Sequence, residues 1–249
     1  MTKPKSKSQT IERAFLIFDE LMIADQDIPT LAEHCKLTYS TAYRIVQFLY
    51  DQGYVQKANG KKYKLGSKLI QLGFRAYDST NLVRSARPYL EALNEQTQDT
   101  VHLAVRESGK VVYLDKLVGY RAVNISSSIG GRKNVHNTGV GKALVLLDTP
   151  EEWAKVYERE GGTPKKKAEF LANMQQYARI GYALDIGEDS RNIRCVAAPI
   201  LAKPDRLVAA ISVSSAVEYM NDQRIEELIQ TVKNTATDIS SEVYGYRPD

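Results

Sequence analysis

The stretch "KLTYSTAYRIVQFLYDQGYVQKANGKKYKL", residues 36–65, most narrows what this chain can become. Ala42, Ile45, Val46 and Leu49 recur at helical spacing and predict one apolar face. Tyr39, Ser40, Thr41, Tyr43, Arg44, Gln47 and Asp51 belong to the rest of that helix, with Ser40, Tyr43, Arg44, Gln47 and Asp51 opposite the apolar face. Thr38 is placed to cap it by accepting from the N–H of Thr41. Asn59-Gly60 then predicts a hairpin, because a type I′ turn needs positive φ at both central residues. Tyr54, Val55, Tyr63 and Leu65 can pack inward, while Lys57, Lys61, Lys62 and Lys64 crowd the ribbon and its tip.

Two helices are expected before this stretch. Ile11, Ala14, Phe15, Phe18, Leu21 and Met22 form one apolar stripe. Thr30 and Glu33 make a T-x-x-E signature directly before "LAEHC", which predicts a second helix capped at Thr30. Three helices and a lysine-rich hairpin predict a winged helix-turn-helix. In that arrangement the third helix enters the major groove and the wing touches the backbone nearby. Taken singly, each feature also describes an ordinary solvated surface. The charge distribution decides between them: residues 1–79 hold 12 Lys/Arg against 8 Asp/Glu, and the remainder holds 22 of each. All the excess positive charge lies in the first third, as expected of a part that binds a polyanion.

"GSKLIQLGFRAYDST" predicts a helix that is apolar over a wide arc, through Leu69, Ile70, Leu72, Phe74, Ala76 and Tyr77. Such an arc suits a connecting helix packed against a partner chain or against the first helix. After about residue 80 the texture changes. "TVHLAVR", "KVVYLDKLV", "RAVNISSS", "IRCVAAPIL" and "LVAAISVS" predict strands. "VGKALVLL", "PEEWAKVYERE", "PKKKAEFLANMQQYARIG" and a last stripe from Ile225 to Val243 predict helices. The fold class is therefore α+β on a mostly antiparallel sheet. The expected divisions are a winged helix over 1–65, a linker helix over 66–79 and a third part over 80–249.

Several chemistries are excluded or poorly supported. At 43% hydrophobic and 26% charged residues the chain is not disordered as a whole. Two cysteines, Cys35 and Cys195, allow no disulfide framework and suit a reducing cytoplasm. The apolar runs are too short to span a bilayer, and the N-terminus has no signal-peptide pattern. "HNTGVGKAL" is not a phosphate loop, since His136 stands where glycine is needed and Ala143 where serine or threonine is. A glycine-bearing turn opening a helix can still offer backbone N–H groups to a carboxylate. Close packing at Gly139 and Gly141 explains the same residues equally well. Asp185, Glu188 and Asp189 could suggest paired acids or a metal site. No second histidine or cysteine lies near them in sequence, "GEDSRN" reads as an exposed turn, and a two-carboxylate hydrolase is poorly supported. Cys195 reads as a small hydrophobe in a strand. His34, His102 and His136 lack metal-ligand spacing. No catalytic residue, metal or cofactor is expected.

The motifs "YSTAYRIVQFLYDQGYV", "KYKLGSKLIQLG", "HNTGVGKAL" and "GYALDIGEDSRNIRCVAAPI…LVAAISVS" together resemble the IclR family of bacterial transcriptional regulators. The likeness runs from about residue 9 to residue 245. Residues 81–117 look most like regulators answering to ketodeoxygluconate and related sugar acids. The resemblance implies a DNA-binding winged helix, a dimerising linker helix and a distantly GAF-like effector domain. It implies homodimers, or dimers of dimers, on palindromic operators in double-stranded DNA. It also carries effector contacts onto Gly139, Val140, Asp185, Cys195, Ser212 and Ser214. Two departures stand out. Lys36 occupies a turn position that is commonly glycine, where a positive φ costs about 1 kcal/mol or the turn rearranges. Tyr39 stands where a basic residue is common.

The expected function is a cytoplasmic, DNA-binding repressor of a sugar-acid catabolic operon, controlled by a small organic acid, with no membrane partner. Arg44 and Gln47 would read bases. Tyr39, Ser40, Thr41, Tyr43, Lys57, Lys61 and Lys62 would complete the DNA contact. Two other classes stay open from the residues alone. One is an enzyme acting on a small acid, with a nucleic-acid-tethering front module. The other is an architectural DNA-binding protein with no effector.

Overall fold

The computed structural model describes residues 8–78 and 81–247, and the chain divides into two compact units, 1–79 and 80–249. Lys3, Lys5 and Lys7, counted above in the basic excess, lie outside the described residues, as do the side chains of Ala76 and Tyr77.

The first unit runs α1 (Gln9–Ile23), α2 (Ile28–His34), α3 (Tyr39–Asp51), β1 (Val55–Lys57), β2 (Tyr63–Leu65) and α4 (Ser67–Asp78). Its core takes Ile17 and Leu21 from α1, Ile28 and Leu31 from α2, and Ala42, Ile45, Val46 and Leu49 from α3. Ile17, Leu31 and Val46 are fully buried, so truncating Ile17 or Leu31 to alanine costs roughly 2–5 kcal/mol. The face expected to be buried on α3 is the buried one. On α1 the stripe is narrower than expected: Ile11, Phe15 and Met22 are exposed and Ile17 is inside. Within the described unit α1 is covered along one side only, so part of its apolar surface faces outward.

Three local details differ from expectation or explain it. The helix α2 begins before Thr30, because the Asp27 carboxylate accepts from Thr30 N at 3.0 Å and Pro29 sits in the first turn. Thr30 is inside the helix and caps nothing. The next turn keeps its left-handed residue, Lys36 at φ 53°, so the side chain bears the cost rather than the turn rearranging. Thr38 caps α3 as expected, accepting from Thr41 N at 3.3 Å. The hairpin pairs Val55 with Leu65 and Lys57 with Tyr63. Its turn is not type I′: Ala58 N donates to Lys62 O at 2.9 Å, and only Gly60 has positive φ. A longer loop closes with one left-handed glycine and needs none at Asn59. Gln26 and Tyr63 exchange backbone hydrogen bonds of 3.1 and 2.8 Å. That bridge ties the wing to the segment between α1 and α2.

The second unit runs α5 (Asn81–Thr97), β3 (Thr100–Glu107), β4 (Lys110–Leu117), β5 (Arg132–Lys133), α6 (Gly139–Ala143), α7 (Pro150–Arg159), α8 (Pro164–Ile180), β6 (Ala183–Ile186), β7 (Ile193–Lys203), β8 (Arg206–Ala216) and α9 (Asp222–Tyr244). The sheet order is β5-β4-β3-β8-β7-β6, and every neighbour is antiparallel. Ala104, Tyr113, Cys195, Ala197 and Ala210 form one core with Val140, Ala143, Trp153, Tyr157, Phe170 and Met174. Alternate residues of a strand share a face, so α6, α7 and α8 cover that face; α5 and α9 pack on each other and on the sheet. The α+β class with a mostly antiparallel sheet is what the chain adopts. "RAVNISSS" is not a strand. Its carbonyls are met by a lysine instead: Lys116 Nζ donates to Ile125 O at 2.8 Å and to Ser127 O at 2.7 Å.

Candidate nucleic-acid interface and buried polar cluster

In the first unit, a groove of about 380 Å³ is bordered by Tyr39 and Tyr43 from α3 and by Lys57, Lys61 and Lys62 from the wing. The rings of Tyr39 and Tyr43 stack with centroids 6.3 Å apart and planes 22° apart. Both are exposed. An apolar ring with a polar tip, beside three lysines, is a surface suited to sugar-phosphate backbone. Lys57 is partly engaged, with Nζ 5.5 Å from the Tyr50 ring centroid. Ser40 and Thr41 open α3, where the positive end of the helix dipole favours a phosphate, although Thr41 N already donates to Thr38. Their hydroxyls lie 3.3 and 2.8 Å from Thr38 Oγ1. Arg44 is exposed on the side of α3 facing α1, in a groove shared with Thr41 and Phe48. Gln47 donates from Nε2 to Asp51 Oδ1 at 2.8 Å, so base reading by Gln47 uses the rest of its amide.

In the second unit, strand register gathers residues far apart in sequence. Asp185 pairs with Cys195, Cys195 with Ser214 and Ser214 with Thr100. Two residues along, Ala183, Ala197, Ser212, His102 and Lys116 form a parallel row. Both rows lie on the face under α6. A Cβ on Gly139 would stand 2.8 Å from Cys195 Sγ and 3.3 Å from Asp185 N, so glycine is what lets α6 approach the sheet. Thr138 caps that helix, accepting from Gly141 N at 3.1 Å. Gly139, Val140, Asp185, Cys195, Ser212 and Ser214 are all buried.

Burial sets the protonation states here. It raises the Asp185 carboxyl to about 6, with Glu188 N–H donating to Oδ1 at 2.7 Å in the opposing sense. It raises the Cys195 thiol to about 11, so the sulfur stays protonated near neutrality and is no nucleophile. It lowers His102 to about 3, leaving a neutral imidazole 3.4 Å from Ser212 Oγ and 2.8 Å from Ser127 Oγ. A histidine held neutral so firmly is a poor base for activating that serine. The cluster can donate and accept hydrogen bonds to a hydroxylated ligand. It has no poised catalytic group. Among the described residues no cluster has the composition to hold a metal.

Sequence alone does not mark His102 and Ser127 as parts of this cluster, nor Lys142, whose charge acts on Asp185 and Cys195. His102 reads as a lone histidine in an apolar strand until β8 is laid beside it. Ser127 belongs to a segment expected to be a strand. Lys142 reads as the failed end of a phosphate loop.

The family described as "Bacterial transcriptional regulator IclR C-terminal" matches residues 74–241. The chain belongs to the IclR family. It is similar to the HTH-type transcriptional regulator XynR of Escherichia coli (strain K12), at 30% identity across 93% of this chain and 96% of that one. It is similar also to the HTH-type transcriptional regulator KdgR of the same strain, at 28% identity across 88% and 86%. The crystal structure of the Thermotoga maritima IclR superposes with a TM-score of 0.77 at 27% identity, covering 95% of this chain and 99% of that one. An IclR homologue from Microbacterium hydrocarbonoxydans, complexed with 4-hydroxybenzoate, shares the fold at TM-score 0.82 and 21% identity, over 96% and 100% of the two chains. The relatives of this IclR-family chain are regulators rather than enzymes. No helix of the described residues is long and apolar enough to cross a membrane.

Proposed function

We propose that this IclR-family chain is a sequence-specific DNA-binding repressor of a sugar-acid catabolic operon, acting in the cytoplasm and controlled by a small organic acid. The observation that carries the DNA half is the common groove of Tyr39, Tyr43, Lys57, Lys61 and Lys62. Helix and wing there present aromatic and cationic groups together, with Arg44 and Gln47 farther along α3 as base readers. Residues 1–65 form the DNA-binding module and 66–79 the linker. Ile70, Leu72 and Phe74 are exposed on α4, and burying them against a second copy would give a dimer matched to a palindromic operator. Residues 80–249 form the sensor. Asp185, Cys195, Ser212 and Ser214 would hold the hydroxyl or keto groups of the acid, with Gly139 and Val140 beside them. Similarity to KdgR favours a sugar acid such as ketodeoxygluconate.

Operator binding by the full-length protein, with and without ketodeoxygluconate, gluconate or 4-hydroxybenzoate, tests this. Preference for its own promoter over random duplex, changed by one of these acids, supports it. Equal affinity for both duplexes, with or without acids, rejects it.

A further inference from the structure

Lys142 is among the largest side chains that the described structure buries completely, at 1% exposure. An ammonium has three donors. Among the described residues, its hydrogen-bonding partner is the Glu188 carboxylate, and the Tyr177 ring centroid lies 5.8 Å from Nζ. The pair is lopsided. Lys142 is fixed in α6, while the Glu188 side chain is 39% exposed on the turn between β6 and β7. Glu188 also borders an open cleft of about 780 Å³, whose lining mixes the cations Lys166 and Arg191 with the acids Glu169 and Asp189. The Lys142 charge acts on both Asp185 and Cys195, so the ammonium belongs electrostatically to the buried cluster.

We propose that Glu188 is a stand-in for the ligand's carboxylate: an entering acid takes over Lys142, and Glu188 swings into the cleft. This rests on the acid-responsive reading above. A buried ammonium without an anion is costly, so some carboxylate must hold it when no ligand is bound. A partly exposed glutamate loses little on release, since water in the open cleft receives its charge. Exchange of one carboxylate for another keeps the buried charge balanced. A neutral analogue cannot make the exchange, so the site selects acids over amides by charge, before any hydroxyl is read. The same exchange frees Ile186 N and the turn that Glu188 now holds through a 3.3 Å hydrogen bond, which gives binding a direct mechanical consequence.

Calorimetric titration of the full-length protein tests the exchange. The probes are ketodeoxygluconate, gluconate and 4-hydroxybenzoate, with gluconamide and 4-hydroxybenzamide as neutral partners. Glu188→Gln removes the competing charge, and the acid that wild type binds should bind about tenfold tighter. The amides should be unaffected. Lys142→Met should abolish the preference for acid over amide. If Lys142→Met fails to fold, the Glu188→Gln titration still decides. Wild-type affinity in Glu188→Gln overturns the exchange and leaves the acid sensor standing. Binding of none of the acids by either protein removes the sensor reading and the exchange with it.

Discussion

Arg224 on α9 reaches across to the fully buried Asp99, donating from Nη2 to Oδ2 at 2.9 Å and to Thr97 O at 2.8 Å. Arg121 Nε and Ser215 Oγ hold the other oxygen, at 2.8 and 2.6 Å. One carboxylate thus gathers the end of α5, the loop after β4, the end of β8 and the start of α9. Removing the charge strands two arginines at once. Each is more than a quarter exposed, so water recovers part of the loss. Asp99→Asn is expected to destabilise the second unit by about 3 kcal/mol, the low end for a broken buried pair. Chemical denaturation followed on that unit measures it, and a loss under about 1 kcal/mol would assign the network to surface behaviour.

His102 and Asp185 tilt stability with pH in opposite directions. Burial keeps His102 neutral in the fold down to about 3, whereas an unfolded histidine gains its proton near about 6.5. The unfolded chain binds the extra proton between those values, so this group removes stability as pH falls through them. Burial raises Asp185 to about 6, against about 3.9 unfolded. There the fold binds the extra proton, so this group adds stability as pH falls from about 6 to 4. Asp185→Asn should steepen the acid loss and His102→Gln should flatten it. At pH 8 Asp185→Asn should be the more stable protein by roughly 3 kcal/mol, a gap that closes near pH 4. Urea midpoints across this range give both slopes, and parallel curves for wild type and variants would mean neither group titrates on folding.

What the chain disclosed in advance was local. Ala42, Ile45, Val46 and Leu49 mark a buried face because helical spacing is written in neighbouring residues, and Thr38 caps where its position says it should. Where two local signals compete, energy differences of about a kcal/mol choose: Asp27 outcompetes Thr30 as a cap. The turn at Asn59-Gly60 depends on how many residues the loop contains, which the dipeptide alone does not specify. β6 is not legible in the sequence because four residues between a glycine and a polar turn give little periodicity. The buried cluster was the least accessible to residue-by-residue reading. Asp185, Cys195 and Ser214 share a row only once three strands are paired, and His102 meets Ser212 across a separation of 110 residues. The resemblance supplied Asp185, Cys195, Ser212 and Ser214 together, but not His102, Ser127 or Lys142.

Arg44 stands exposed on α3, one turn beyond Ser40 and on the side toward α1. If its guanidinium reads a base edge, Arg44→Ala should cost roughly 1–3 kcal/mol at one operator position and relax preference there only. A footprint-derived operator with single substitutions, titrated against both proteins, resolves the position. Uniform weakening across all sequences would recast Arg44 as a phosphate contact.

Lys61 and Lys62 sit at the wing tip, exposed, and border the same groove as Tyr39 and Tyr43. Each phosphate neutralised by a lysine releases condensed counterions, so the slope of log K against log salt falls with each contact by about 0.9. Replacing both lysines by glutamine should therefore flatten the slope by roughly 2 units, while leaving the order of preference among operators unchanged. The hairpin itself should survive, because its register rests on Val55, Leu65 and the Gln26–Tyr63 bridge rather than on these side chains. A slope equal to wild type would place the wing tip away from the duplex and leave Tyr39, Tyr43 and Lys57 to hold DNA at this groove.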